Sequence, residues 1–513
     1  MSRRAPWLVA LAAMLLALPY AWSQQAYPDE FTYASHGLRT LAGQWIYRDF
    51  FEFTPPVTSW LAAAWQGLMG PSLVALRVFT AAWLGLAAGL AYATARRLGA
   101  GPRLAALPGL ATAGALYPLF PAYSHHWVVQ PALALALWAA ATERWLVAGL
   151  GLGLAGMVLQ SDGLGLALGL GGWLVLDLAL GEGGPRRAAA RALRLAAGAC
   201  LPVAAVALAL AAGHALGPAV AQVVAWPLAH YRTPGGINDV RYMTDLQGVA
   251  ATTRPGFKLG FYYVSLWLHL ALWLLVPLLA TLVGARVAGA VARRVRDGEG
   301  WSAATAGLAL AACVMTGAFA VAWRGRCDFA HVLWTLPPAL LVATLLAGRW
   351  RARFAGPGLE AVAALPAMGL AALPLLGPLA FADALHAVPT MAFERAGPDA
   401  YREQPAVVYV RAHARVGDRV AALPHGGVFY LFGLPPAARA TLMYPPNEGY
   451  TTAAEYAAYW REVAAARPRF VVTMAMTNDG QPLPMPLAGY HLAAVLPYDP
   501  HARAWIYERD ERS

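Results

Sequence analysis

Long apolar stretches separated by short polar segments run along the chain up to about residue 382. A membrane-spanning helix needs about 20 apolar residues, because the hydrocarbon core of a bilayer is about 30 Å thick and each helical residue rises about 1.5 Å. The pattern predicts membrane-spanning helices at residues 6–23, 73–95, 104–121, 163–181, 192–216, 260–286, 302–323, 330–348 and 358–382. Shorter apolar runs at 57–69, 127–142 and 144–159 are weaker candidates, which bring the expected total to about 11–13 crossings.

Beyond residue 383 the apolar runs become too short to cross a membrane. The segments RVAAL (419–423) and RFVVTMAM (469–476) are predicted to be buried strands, because β-branched and apolar residues run continuously between turn signals. Residues 452–466 are predicted to form an amphipathic helix that ends before Arg467-Pro468. This part of the chain therefore has the pattern of a small α/β domain.

Composition supports a membrane protein. Only 13% of the 513 residues are charged and 59% are hydrophobic, whereas a soluble chain carries about 25% charged residues. These values exclude a soluble enzyme, a disordered chain and a typical nucleic-acid-binding protein. The 3 cysteines are too few and too scattered for a disulfide framework or a zinc site, and we expect neither a metal nor another cofactor. The predicted fold class is an all-α polytopic membrane protein, with a transmembrane module over 1–382 and a small α/β domain outside the membrane over 383–513.

Arginine clusters predict the orientation of this module, because cytoplasmic loops collect basic residues. Arg3 and Arg4 indicate a cytoplasmic N-terminus. Later inner loops are marked by Arg186, Arg187, Arg191, Arg194, Arg286, Arg293, Arg294, Arg296, Arg349, Arg351 and Arg353. We therefore expect a multi-pass protein of the inner (plasma) membrane, with a first outer loop at 24–56, a long outer loop at 217–260 and a periplasmic or extracellular C-terminal domain. The net charge of +11 then reflects topology and not affinity for polyanions.

One basic group conflicts with this scheme. Arg96, Arg97 and Arg103 are expected inside, yet residues 57–95 would then cross the membrane an odd number of times. Either the 57–69 run does not span the membrane, or this basic group is an exception to the rule.

The first outer loop carries a concentration of charge in an otherwise apolar chain. Its charged residues are Asp29, Glu30, Arg39, Arg48, Asp49 and Glu52. Residues 29–43 have helical character with Gly43 as a stop, so the two leading carboxylates would lie at a helix N-terminus beside the outer membrane surface. Two interpretations stay open: the carboxylates cap the helix, or they are catalytic.

Several pieces of this loop resemble the GT-C glycosyltransferases. They are the Asp29-Glu30 pair after a first span, SHGLRTLAG (35–43), Tyr47-Arg48-Asp49 and Pro55-Pro56. The nearest branch contains the aminoarabinose transferase of lipid A and the protein O-mannosyltransferases. A second segment, RGRCDFAHVLWTLPPALL (324–341), is similar to an R-x-D-x-x-H…L-P-P segment of bacterial members. The resemblance covers roughly residues 6–382.

The resemblance implies an inverting enzyme that moves a sugar from a polyprenyl-phosphate carrier to a lipid, glycan or protein acceptor at the outer face. Asp29 would be the catalytic base, and Glu30 would orient it or bind the acceptor. An acceptor hydroxyl needs a base, whereas the carrier phosphate is already a good leaving group that mainly needs charge neutralisation.

The chain departs from this family at its expected phosphate-binding cations. Thr54 stands where members commonly have lysine before the Pro-Pro pair, and Gln160-Ser161-Asp162 stands where many have Thr-Lys. Other outer-side cations would have to bind the carrier phosphate, and the candidates are Arg39, Arg48, Arg232, Arg241, Arg254, Lys258, Arg324 and Arg326. An arginine fork suits phosphate, and we favour Arg48, Arg241 and Arg326. Each of them is alternatively an interfacial arginine that snorkels or pairs with a carboxylate.

Further substrate-binding candidates are Asp49, Asp162, Asp328 and His331. Asp162 lies at a membrane boundary, where an ionisable group is a functional candidate, although it would also serve to cap the following helix. Asp328 and His331 are one helical turn apart, so they would bind sugar hydroxyls or pair with each other and with nearby arginines. His125-His126 would bind a metal or an acceptor, but adjacent histidines do not face the same way on a helix.

Two other classes of function compete with the transferase. A transporter or flippase for lipid-linked sugars would place charges near the membrane midplane and often shows inverted repeats, whereas the ionisable residues here crowd the outer interface. A membrane-anchored binding or assembly protein would work through its tail, yet the most polar outer loop lies at the opposite end of the chain.

Overall fold

The computed structural model describes residues 4–23, 28–181, 183–230, 258–324, 334–353, 397–424, 426–446, 451–474, 482–497 and 503–510. Its helices are α1 (Ala5–Ala17), α2 (Pro28–Leu41), α3 (Val57–Met69), α4 (Leu73–Arg97), α5 (Pro102–Ala111), α6 (His125–Val128), α7 (Gln130–Ala141), α8 (Trp145–Val158), α9 (Gln160–Leu180), α10 (Gly184–Ala212), α11 (Leu216–Val220), α12 (Trp226–His230), α13 (Lys258–Asp297), α14 (Ala303–Arg324), α15 (Leu336–Arg353), α16 (Pro405–His413), α17 (Gly427–Phe432) and α18 (Ala453–Ala466).

The predicted membrane helices are largely confirmed. Within the described residues, 6 helices are long and apolar enough to cross a membrane by their length and composition: Ala5–Trp22, Leu73–Arg97, Gln160–Leu180, Gly184–Ala212, Leu275–Asp297 and Ala303–Trp323. Of the spans predicted in the described part of the chain, two are not among these six. Residues 104–121 form α5 followed by a π-helical turn and a 3₁₀ turn, ending at Leu119, and the prediction at 330–348 corresponds to α15, which begins at Leu336. The span predicted at 358–382 lies outside the described residues.

Helix α3 bears on whether residues 57–69 cross the membrane. A crossing there conflicts with a cytoplasmic position for Arg96 and Arg97 at the end of α4. Its 13 residues rise about 20 Å, which is less than the roughly 30 Å of a hydrocarbon core. It also buries the polar side chains of Thr58, Ser59 and Gln66. The geometry therefore favours a helix that does not span, so that Arg96 and Arg97 lie on the same side as the N-terminus.

Glycines let neighbouring membrane helices approach closely, as small residues commonly do where lipid-embedded helices meet. A Cβ atom on Gly169 of α9 would lie 2.6 Å from the Cα atom of Val314 in α14, and one on Gly149 of α8 would lie 2.8 Å from the Cα atom of Gly198 in α10. Any larger side chain at these contacts would push the helix backbones apart.

The tail is a small α/β domain, as predicted. Its strands are β1 (Val420–Leu423), β2 (Phe470–Met474), β3 (Tyr490–Pro497) and β4 (Arg503–Arg509), and they form one sheet in the order β1-β2-β4-β3. β1 and β2 are parallel, and the other pairs are antiparallel. The predicted strands correspond to β1 and β2, whereas β3, β4, α16 and α17 carry no prediction.

Helix α18 confirms the prediction for 452–466. Thr452 and Glu455 form a reciprocal capping box at its start, which satisfies backbone N–H groups that the helix leaves unpaired. It ends where Arg467 adopts a left-handed conformation with φ 45°, ahead of Pro468.

Candidate functional site

A cavity of about 1210 Å³ lies between the membrane helices and the tail domain. The helices contribute α2, the α8–α9 junction, residues 222–228 and the C-terminal end of α14, and the tail contributes residues 439–444 and part of 451–462. The rest of the lining comes from loops at 51–55 and 120–126 and from Trp334-Thr335.

One face of α2 forms part of the wall. Asp29, Thr32, Tyr33 and His36 line the cavity, and their spacing places them on one face of a helix. The opposite face is anchored by Phe31, whose ring packs edge-on against tail-domain aromatics. The helix thus holds Asp29 in its first turn with an exposed side chain, where the positive end of the helix dipole favours a carboxylate.

Glu30 has entirely different surroundings. It is fully buried and forms a two-pronged ion pair with Arg77 of α4, with Nε–Oε1 and Nη2–Oε2 distances of 2.8 and 2.7 Å. It also accepts a hydrogen bond from the backbone N–H of Tyr123, and Arg77 donates to the carbonyl of Ser23. Glu30 does not line the cavity, so of its two predicted roles the geometry fits orientation of the neighbouring Asp29 and not contact with an acceptor.

A second carboxylate of the first outer loop lies in the wall. The Oε2 atom of Glu52 is 3.3 Å from Nδ1 of His36, and its Oε1 atom accepts hydrogen bonds from the N–H and the hydroxyl of Thr54. Burial alone would raise the pKa of Glu52, but His36 and the Thr54 donors lower it below its usual value. Burial lowers the pKa of His36, whose Nε2 lies 3.2 Å from the Thr441 hydroxyl in the tail. At neutral pH this wall therefore presents an ionised carboxylate.

An aromatic cluster continues the same wall. The Tyr33 hydroxyl contacts Nδ1 of His125 and lies 3.2 Å from the Thr54 hydroxyl. His126 stacks on Trp334 with ring centroids 3.4 Å apart. His125 and His126 both line the cavity, but in the part of the chain that the structure describes no three His, Cys, Asp or Glu side chains converge as a metal site requires.

Asp162 lines the cavity at the start of α9. It is half-buried, and its neighbour Gln160 donates to the carbonyl of Phe53. The cavity therefore brings Asp29 and Asp162 together from α2 and α9, which are far apart in sequence.

Three predicted residues of the first outer loop lie outside the cavity lining and brace the loop. Arg39 donates to Gln44, to the Asp49 carbonyl and to the Arg439 carbonyl, and burial lowers its pKa to about 10. Arg48 is exposed, pairs with Asp49 and donates to the Gly213 carbonyl. This placement does not fit the expected contact of Arg48 with a carrier phosphate, because the Arg48 guanidinium is paired with Asp49.

The remaining predicted substrate-binding side chains lie outside the part of the chain that the structure describes. Arg241, Arg326, Asp328 and His331 lie outside the described residues, as do most of the long outer loop and the side chains of Lys258 and Arg324.

The tail supplies functional groups that the sequence did not indicate. Arg439, Thr441, Glu455 and Glu462 all line the cavity. Glu455 accepts one hydrogen bond from Trp226 Nε1 and is paired with His230. No local motif marks these positions as part of a site, although Glu455 belongs to a helix capping box. They meet the cavity only through contacts between distant parts of the chain.

Comparison with known proteins identifies the architecture. No protein-family model and no curated protein matches the chain. ArnT from Cupriavidus metallidurans in the apo state is similar in structure, with a TM-score of 0.54 and 14% sequence identity over 97% of each chain. ArnT bound to undecaprenyl phosphate gives a TM-score of 0.52 and 13% identity, also over 97% of both chains. The apo oligosaccharyltransferase of Archaeoglobus fulgidus gives a TM-score of 0.51 and 12% identity, over 92% of this chain and 70% of that one. At such low identities the likeness establishes the fold, and the chain has the fold of the GT-C glycosyltransferases.

Proposed function

We propose that this protein is an integral-membrane, inverting glycosyltransferase that moves a sugar from a polyprenyl-phosphate carrier to a lipid, glycan or protein acceptor at the outer membrane face. The fold supports a glycosyltransferase, and a similar structure holds undecaprenyl phosphate. The cavity adds apolar side chains from the membrane helices, including Met157, Leu164 and Val321, which suit a prenyl chain, beside polar groups that suit a sugar.

The observation that carries the proposal is the position of Asp29. It is an exposed carboxylate on the cavity face of α2, and the buried Glu30–Arg77 pair fixes the backbone beside it. A general base must be held within hydrogen-bond reach of the proton that it removes. A carboxylate on a braced helix at the cavity wall meets this requirement for an acceptor hydroxyl.

The proposed reaction is one direct displacement. The acceptor oxygen attacks the anomeric carbon, the bond from that carbon to the phosphate oxygen breaks, and the polyprenyl phosphate leaves with the bonding electrons. Asp29 takes the hydroxyl proton. Attack opposite the leaving group inverts the anomeric configuration.

A transporter of lipid-linked sugars fits the observations less well. Its charged groups would lie near the membrane midplane, whereas four of the five carboxylates in the described lining belong to the first outer loop or the tail, and Asp162 lies in the first turn of α9.

The test is complementation of a deletion strain with wild type, Asp29→Asn or the control Asp297→Asn, which alters an exposed aspartate remote from the cavity lining. General-base catalysis contributes about 10²–10⁴-fold to a rate, so Asp29→Asn should express normally and lose about 100-fold or more of sugar transfer. The readout is the mass of the envelope glycan or lipid that loses a sugar in the deletion strain. Restoration of that product by Asp29→Asn at near the wild-type rate would remove Asp29 from the base role.

A further inference from the structure

The tail forms a roof over the cavity, made of residues 439–444 and the cavity-facing part of 451–462. Within this roof Arg439 has an exposed side chain. Among the lining residues that the structure describes, it is the one arginine or lysine.

Hydrogen bonds fix the backbone of Arg439 on both sides. Its N–H donates to Glu462 Oε2 at 3.0 Å, and its carbonyl accepts from the N–H of Phe51 and from Nη1 of Arg39, each at 3.2 Å. Its Nη2 donates to the Tyr47 carbonyl at 2.6 Å. A guanidinium has five N–H donors, so this single side-chain bond leaves donors for a ligand in the cavity.

The electrostatic setting favours an anion at this point. Arg39 lies buried behind Arg439. Burial lowers the pKa of Arg39 to about 10, and the neighbouring charge of Arg439 acts in the same direction, whereas Tyr430 and Asp49 oppose it. An anion bound on the cavity side would relieve the repulsion between the two guanidinium groups. The rest of the described lining is acidic, with Asp29, Glu52, Asp162 and Glu455, and Glu462 accepts a hydrogen bond from the backbone N–H of Arg439 itself. A phosphate entering the cavity therefore requires a local cation.

We propose that Arg439 binds a phosphate group of the substrate and that the tail domain thereby completes the substrate site. The inference rests on the proposed function, because it assigns the cation for a phosphorylated lipid in the same cavity. A guanidinium fork binds phosphate through parallel charge-assisted hydrogen bonds. The phosphate of a prenyl carrier and a phosphate on a lipid acceptor share this chemistry.

The experiment measures binding of undecaprenyl phosphate, and separately of phosphatidic acid, to the purified full-length protein in detergent. Arg439→Gln removes the charge but keeps a donor for the Tyr47 carbonyl, and Arg439→Lys keeps the charge without the fork. Arg461→Gln is the matched control, because Arg461 is an exposed tail arginine that does not line the cavity. Charge-assisted hydrogen bonds contribute enough that Arg439→Gln should raise the Kd about ten- to a hundredfold, with Arg439→Lys intermediate and Arg461→Gln unchanged.

The outcomes separate the sources of the phosphate. Weaker binding of undecaprenyl phosphate assigns Arg439 to the carrier, and weaker binding of phosphatidic acid alone assigns it to an acceptor phosphate. If Arg439→Gln binds both lipids with the wild-type affinity, the inference is overturned. If wild type binds undecaprenyl phosphate and Asp29→Asn abolishes transfer, that result leaves the proposed function standing. If wild type does not bind this lipid and the deletion strain loses no sugar from any envelope glycan or lipid, the proposed function itself fails.

Discussion

Two adjacent carboxylates in the first turn of α2 have different surroundings. Asp29 faces the cavity, whereas Glu30 points into the protein and pairs with Arg77. A buried charge that loses its partner costs about 3–5 kcal/mol, so the pair fixes where α2 begins. The Asp-Glu motif was recognisable from the sequence. The resemblance also implied different roles for its two carboxylates, but the ion pair of Glu30 was not predictable, because Arg77 lies 47 residues away within a membrane helix.

His36 makes the stability of the wall depend on pH. Its pKa is lowered by burial from its usual 6.5, and its neighbours Glu52 and Arg39 act in opposite directions on it. A histidine with a lowered folded-state pKa contributes stability that is complete above the unfolded pKa and is lost as the pH falls through the folded one. We therefore expect the unfolding temperature to fall as the pH drops from about 6.5.

The measurement is thermal unfolding in detergent between pH 7 and pH 5. His36→Gln should flatten the decline, since the amide can still hydrogen bond to Glu52 and Thr441 but does not titrate. His413→Gln, at an exposed position at the end of α16, should keep the wild-type slope. An unchanged slope in His36→Gln would show that another group controls the pH dependence.

At the scale of elements, contacts between helix backbones determine how the membrane module packs. Gly169 and Gly171 lie on the same helix, yet a Cβ on Gly169 would meet the backbone of α14, and a Cβ on Gly171 would meet nothing within 4 Å. The two positions therefore separate packing from helix propensity.

We predict that Gly169→Ala destabilises the protein by about 1–3 kcal/mol through overpacking, whereas Gly171→Ala leaves stability unchanged or slightly improved. Thermal unfolding of both variants in the same detergent measures the difference. Equal melting temperatures would mean that α9 and α14 can separate without cost.

Some elements were predictable from the sequence and others were not, for physical reasons. Membrane helices and α18 were predictable, because apolar length and the Thr452–Glu455 capping box are local signals. β3 was not, since its side chains alternate irregularly between exposed and half-buried positions, and its place in the sheet depends on pairing with β4. The position of Arg439 in the cavity wall was not predictable either, because its contact with Arg39 joins residues that are 400 positions apart in sequence.

For the molecule as a whole, the tail is bound to the membrane module at several points. Asp399 accepts hydrogen bonds from Ser72 and from the N–H of Leu73 at the start of α4. Glu455 accepts a hydrogen bond from Trp226 and pairs with His230, both in α12. The tail must therefore lie on the same side of the membrane as the N-terminal end of α4.

This arrangement gives a topology prediction. If α3 does not span, the segment after α4 lies on the cytoplasmic side with the N-terminus, and the tail lies outside. Alkaline phosphatase folds only where disulfides form, so it should be active when fused after residue 513 and inactive when fused after Gly99. Immunoblotting controls for expression of both fusions. The reverse pattern would contradict the proposed orientation.

The roof of the cavity has a consequence for biosynthesis. Chains are made from the N-terminus, so Asp29 and α2 emerge long before the roof residues from 439 onward. Until those residues dock on the first outer loop, the nascent protein has an open cavity without Arg439. If Arg439 binds the phosphate as proposed, the substrate site is therefore complete only after the tail has been synthesised and has docked.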